Sequence, residues 1–177
     1  MYISRTYRLL NYQIENVKKL EYEEIVEVWE DSVRATHDFL NEEDIAYFKP
    51  LILNVYLDAV ELRCIKNTQN KIIGFIGVAE QNLEMLFILS SERGNGIGKQ
   101  LLEYSIEKLD VKKVDVNEAN EQAVKFYEKC GFKTISRSEL DSTENLIQCY
   151  IWNFSSILIY NVLIFLPKAS YFLSSFY

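Results

Sequence analysis

Between Tyr22 and Ala35, Ile25, Val28, Trp29 and Ser32 or Val33 recur at helical spacing with glutamates between them. That pattern predicts an amphipathic helix. Thr36-His37-Asp38-Phe39-Leu40 breaks it, and Asn41 then reads as the cap of a second helix. Glu42, Glu43 and Asp44 fill the first turn, where the helix dipole favours negative charge. This helix is expected to run to about Val55, with Pro50 as a kink or break. Tyr12 to Val17 reads as a short first strand. Further on the period changes. Ala59 to Ile65 and Lys71 to Ala79 are β-branched and flank the turn Asn67-Thr68-Gln69-Asn70, which predicts a hairpin. Leu83 to Leu89 is a third, strongly apolar strand. Leu101, Leu102, Ser105, Ile106 and Leu109 restore a helical stripe; Lys113 to Val116 is a strand, Asn120 to Lys129 a helix, and Phe132 to Arg137 another strand. No internal repeat is visible. The order predicts an α/β (α+β) domain with a mixed central sheet flanked by helices.

Composition narrows the function. A chain of 177 residues fits one domain able to bury a core. A formal charge of -7 argues against nucleic acid as the partner and suits a cationic small molecule. Cys64, Cys130 and Cys149 form no CxxC pair and His37 is the sole histidine, so neither a metal site nor a disulfide scaffold is expected. Met1 to Asn11 lacks the apolar region of a signal peptide, which makes the cytoplasm the expected location.

The chemistry concentrates in Arg93-Gly94-Asn95-Gly96-Ile97-Gly98-Lys99, between a strand and a helix. Alternate glycines allow left-handed backbone and close approach of a ligand, and a helix start presents free N–H groups to a phosphate. A tight strand-to-helix turn is the plainer reading. A Walker A loop fails because residue 93 is Arg and residue 100 is Gln; the dinucleotide fingerprint fails because Lys99 stands where glycine is needed. The loop does match R-x-x-G-x-G, and the run LFILSSERGNGIGKQLLEYSIEKL resembles the GNAT superfamily of acetyl-CoA-dependent N-acetyltransferases. Asn117 to Phe132 (NEANEQAVKFYEKCGF) is similar to a second signature of that family. The segment from Trp29 to Leu40 (WEDSVRATHDFL) resembles a poorly characterised bacterial branch of it.

The resemblance implies a GNAT fold, acetyl-CoA as co-substrate, and an amine acceptor on a small molecule or a protein. It implies that Arg93, Gly94, Asn95, Gly96, Ile97, Gly98 and Lys99 hold the CoA pyrophosphate. The pantetheine arm would run along an open strand edge at Leu86, Phe87 and Ile88, whose amides could also stabilise the oxyanion. Tyr127 is the implied proton donor to the departing thiolate; its plainer role is that of a core aromatic. Asn120 is a CoA contact or a helix cap. Glu84 is the candidate base or a solvated strand residue. His37 and Trp29 are assigned to the acceptor side, His37 having a packed or capping alternative. Family members often dimerise. An acetyl-CoA-binding protein with impaired or no turnover is the alternative function.

The tail departs from the pattern. From Asn145 to Tyr177 the only charged residue is Lys168, so residues 1–144 read as the acetyltransferase domain and 145–177 as an atypical apolar tail. Back-translation of Glu144 to Phe154 can be regrouped one base earlier to give the family-like ending G-K-P-Y-P, which suggests an out-of-frame tail in place of the last strand. A membrane anchor over Leu146 to Leu166 is disfavoured by Gln148, Asn153, Ser155, Ser156 and Asn161. A third outcome is that the apolar, β-prone start of the tail fills the last strand position.

Overall fold

The structure is a computed structural model describing residues 12–36, 41–117, 120–140 and 144–151. Seven strands form one sheet in the order β1-β2-β3-β4-β5-β7-β6. They are β1 (Ile14–Asn16), β2 (Glu61–Lys66), β3 (Ile72–Ala79), β4 (Asn82–Ile88), β5 (Lys113–Asn117), β6 (Phe132–Leu140) and β7 (Glu144–Ile151). All neighbours are antiparallel except β4 and β5, which makes the sheet mixed. β3 is buried along its length apart from Ala79, so both of its faces are covered. Helices α1 (Tyr22–Arg34) and α3 (Ile97–Leu109) both pack on β3 and β4.

Local sequence explains the helix boundaries. α1 buries Ile25, Val26, Val28, Trp29, Ser32 and Val33, the predicted stripe with Val26 added. α2 (Glu42–Leu51) opens on a reciprocal cap: Asn41 Oδ1 accepts the Asp44 N–H at 2.9 Å, and Asp44 Oδ2 accepts the Asn41 N–H at 3.1 Å. The helix expected to run to about Val55, with Pro50 as a kink or break, is α-helical only to Leu51. Pro50 lies inside α2 and offers no N–H, and the chain continues from Ile52 to Tyr56 as a π turn. α4 (Glu121–Lys129) starts at Asn120, whose Oδ1 accepts the Ala123 N–H at 3.0 Å.

At the far side of the sheet, β7 lies between β5 and β6, with Val116 opposite Ile147 and Phe132 opposite Ile151. Pairing continues to Leu140 opposite Glu144, which is why β6 runs past the expected end at Arg137. Residues 152–177, and with them most of the proposed anchor segment, lie outside the described residues. No helix among the described residues is long and apolar enough to cross a membrane.

Candidate active site

The site begins where two strands part. β4 and β5 pair in parallel only at Asn82 with Lys113 and Leu83 with Val114. On its other side β4 stays paired with β3 as far as Ile88 opposite Gly74. The stretch Leu86-Phe87-Ile88 therefore has one satisfied edge and one edge open towards α4. A cavity of about 440 Å³ opens there, walled by these three residues, by Arg93, Gly94, Gly96, Ile97, Gly98 and Lys99, and by Asn120 and Tyr127.

The loop's backbone is what its glycines permit. Gly94 has φ +79° and Gly96 has φ +84°, values that a Cβ opposes, and an added Cβ at either would meet nothing within 4 Å. That open space beside the first turn of α3 is where an anion could approach the unpaired N–H groups of a helix start. The chain here fits a pyrophosphate.

Two residues of α1 anchor the loop. Asp31 Oδ2 accepts the Ser90 backbone N–H at 2.6 Å, and its Oδ1 accepts the Ser90 hydroxyl at 3.1 Å. Arg93 donates from Nη2 to the Ser32 hydroxyl at 3.0 Å and more weakly to Thr36 Oγ1 at 3.5 Å. Burial lowers the Arg93 pKa, with Asp31 opposing the shift. The resemblance gives Arg93 a place in the cofactor site; the structure shows that it also ties the loop to the helix beside the cavity. Charge-assisted bonds of this kind set loop geometry. Asp31→Ala is expected to weaken acetyl-CoA binding by about 10-fold, the scale of losing one such bond, while the chain stays folded. Isothermal titration with acetyl-CoA measures it.

Tyr127 is 1 % exposed. Its ring is wedged edge-on between Phe126 (centroids 5.1 Å) and Phe132 (5.5 Å), and it reaches the cavity wall from α4. The ring packs as the core-aromatic reading expects, and the residue also borders the cavity. Asn120 likewise caps α4 and lines the cavity. Lys99 lines it too, with its amine 3.6 Å from Glu103 Oε1.

Glu84 is not a solvated strand residue. It is 7 % exposed and sits on a β-bulge, the extra residue between Leu83 (opposite Val78) and Met85 (opposite Gly77). The Asn82 amide donates from Nδ2 to Glu84 Oε1 at 2.8 Å and to Asp115 Oδ2 at 3.0 Å. Burial pushes the Glu84 carboxyl up to about 7; the Asn82 bond opposes this and the Asp115 charge adds to it. Such a carboxylate is poised to exchange protons near neutrality.

Glu84, Trp29 and Asn95 are not part of the cavity wall, and a fourth assignment, His37, is not described. Trp29, on the buried stripe of α1, is 1 % exposed in the core and is not part of the cavity wall. Asn95 is also outside the wall; its side chain turns back to donate to Glu92 Oε2 at 3.1 Å. His37 lies outside the described residues. Conversely, Ser32, Thr36, Glu92, Gln122, Ala123 and Phe126 line the cavity without a role assigned from the sequence. The available signal was membership of the three family-like segments: Ser32 and Thr36 in the first, Glu92 in the glycine-loop run, and Gln122, Ala123 and Phe126 in the last. Among the described residues no group of three or more His, Cys, Asp or Glu side chains could hold a metal.

Comparison with known proteins agrees with the fold. The acetyltransferase (GNAT) domain model matches residues 40–144. The peptidyl-lysine N-acetyltransferase YjaB of Escherichia coli strain K12 is 40 % identical over 121 residues, covering 68 % of this chain and 82 % of that protein. The protein of the same name from Salmonella typhimurium is 36 % identical over 129 residues, 71 % of this chain and 88 % of its own. The solution structure of apo YjaB from Escherichia coli superposes with a TM-score of 0.71 at 34 % identity, covering 81 % of this chain and 99 % of that one. The fold also matches a Thermoplasma acidophilum PaiA N-acetyltransferase crystallised with coenzyme A, at a TM-score of 0.59 and 20 % identity over 80 % of this chain and 99 % of that one.

Proposed function

The chain belongs to the GNAT acetyltransferase family, an enzyme moving an acetyl group from acetyl-CoA to an amine, and from that premise we propose that its acceptor is the side-chain amine of lysine within a protein. The observation that carries the reading is the parting of β4 and β5 over a cavity bordered by both the glycine loop and Tyr127. The acceptor class is supported by the YjaB relatives, which are named for peptidyl-lysine, and by the charge of -7, which favours cationic acceptors.

When bound, acetyl-CoA supplies an acetyl group activated on sulfur. Gly94, Gly96, Gly98, Lys99 and the start of α3 hold its pyrophosphate, and Arg93 keeps the loop in place. Leu86, Phe87 and Ile88 offer backbone along the open edge to the pantetheine arm and a donor to the carbonyl oxygen. Glu84 takes one proton from the lysine ammonium, directly or through water. The neutral nitrogen forms the new C–N bond as the C–S bond breaks. Tyr127 gives its Oη proton to the departing sulfur and recovers one from the acylated nitrogen, so one proton leaves per turnover. Direct transfer within one ternary complex is supported by the two thiols among the described side chains: burial pushes Cys64 up to about 11 and raises Cys130 too, away from the nucleophilic thiolate form. A cytoplasmic setting agrees with Cys64 and Cys130 being free. A homodimer is expected from family habit, and the acidic charge argues against a nucleic-acid partner.

An N-terminally blocked peptide with one internal lysine, its Lys→Arg counterpart, and free spermidine separate the acceptor classes. Mass spectrometry should find acetyl-CoA-dependent acetylation of the lysine peptide alone. Acetylation of spermidine with no transfer to the peptide would contradict the protein-lysine assignment.

A further inference from the structure

Glu84 has an acidic neighbour that takes no part in the transfer itself. Asp115 sits on β5, two residues beyond the Lys113 that pairs with Asn82. The amide of Asn82, itself 3 % exposed, spends both Nδ2 hydrogens on carboxylates, one on Glu84 and one on Asp115. The two acids therefore lie on either side of a single donor group. The remaining acceptor atoms, Glu84 Oε2, Asp115 Oδ1 and Asn82 Oδ1, are buried and receive no hydrogen bond from the described residues.

Buried acceptors without donors are costly, and two ionised carboxylates joined only through one amide repel each other. A proton on Glu84 relieves both problems: it removes one charge and turns an orphaned acceptor into a donor. We propose that Asp115 is a positioning residue for Glu84, the two forming a carboxylate pair, bridged by the Asn82 amide, that takes up and releases a single proton. The pair rests on the reading of Glu84 as the base only for its catalytic consequence, since the proton is exchanged whether or not substrate is present. Asp115 then sets how readily Glu84 gives and takes a proton without touching the acceptor.

The groups that face Glu84 are few among the described residues. Asn82 on its own strand favours ionisation through its hydrogen bond. Asp115 opposes ionisation, as does Glu80 in the turn before β4, while Lys113 on β5 favours it. β3 brings Gly77 and Val78 beside the bulge, neither of them charged. Asp115 is the opposing charge held to Glu84 through a shared donor, so its removal should be felt most.

The test follows the carboxyl carbons by ¹³C NMR across pH in the ligand-free full chain, with the Glu84 signal assigned by its loss in E84Q. Wild type should show Glu84 titrating near neutrality. Asp115→Asn, which keeps the shape and removes the charge, should move that titration down by about one pH unit. Asn82→Leu, which removes the bridging donor, should move it up. Opposite shifts from two neighbours are not what a merely structural role would produce. Should Asn82→Leu fail to fold, the isosteric Asp115→Asn decides alone. An ordinary carboxylate titration for Glu84, or a titration that D115N leaves in place, would overturn the proposal. The acid limb of kcat/KM recorded on the same variants separates the two readings. If the limb moves with the NMR titration, both stand; if only the NMR titration moves, the pair stands and Glu84 is not the base.

Discussion

Glu84→Gln is expected to lower kcat/KM at neutral pH by on the order of 10²- to 10³-fold, the usual contribution of a positioned base. The loss should shrink above about pH 9, as the lysine acceptor approaches its ordinary pKa and loses its proton to solvent. The same substitution is expected to stabilise the fold at high pH, and the sign follows from linkage. Glu84 titrates at about 7 in the folded chain against an ordinary value of 4.5, so the folded state binds the proton more tightly. Wild-type stability is therefore whole below about pH 4.5 and declines as pH rises through 7, by about 3 kcal/mol in total. The glutamine introduced by E84Q has no proton to lose. Well above pH 7 the variant should melt above wild type, and at pH 4.5 the advantage should vanish. A less active but more stable protein marks a buried functional carboxylate; loss of both would mark a structural one.

The second large effect is expected at Tyr127. Tyr127→Phe removes one oxygen and leaves the ring contacts with Phe126 and Phe132 in place, so folding and acetyl-CoA affinity should hold. The turnover number should fall on the order of 10²-fold. An acetyl thioester of a more acidic thiol leaves without help and should restore most of the rate. Unchanged turnover with acetyl-CoA would reduce Tyr127 to a packing residue.

Residues that act through their own backbone were the most legible in the sequence. Gly94 and Gly96 announce positive φ by being glycine, and the strand before them and the helix after them follow from periodicity alone. Asn41 and Asn120 were readable as caps because capping is local. The relation between Asp31 and Ser90, 59 positions apart, leaves no local trace, nor does the hold of Ser32 on Arg93 across 61. Glu84 shows the same limit. Alternation along a strand does not reveal a bulge, so a solvated and a buried glutamate look alike until Gly77 and Val78 are seen to flank it. Asp115 drew no attention because its significance comes wholly from a neighbouring strand. Trp29 is the converse case. Its spacing placed it on the buried stripe, and the structure finds it there.

The tail shows where a strand position and its usual sequence part company. β7 occupies the place between β5 and β6 as far as Ile151, although Glu144 to Ile151 lacks the family-like ending. A β-prone segment pairs with strands on both sides through backbone bonds, and the family's particular residues are not needed for that. The alternative of a cofactor-binding protein without turnover finds no support among the relatives, which are named as enzymes.

The most direct measurement is the melting temperature of the full chain with and without acetyl-CoA, run beside Gly96→Val, which places a branched side chain where φ is +84°. At 100 times the dissociation constant, binding contributes about 2.7 kcal/mol, a rise of about 5–10 °C for a chain of this length. That rise in wild type, and its loss in Gly96→Val, is the predicted result. No rise in wild type would contradict the assignment of the cavity beside the glycine loop to acetyl-CoA.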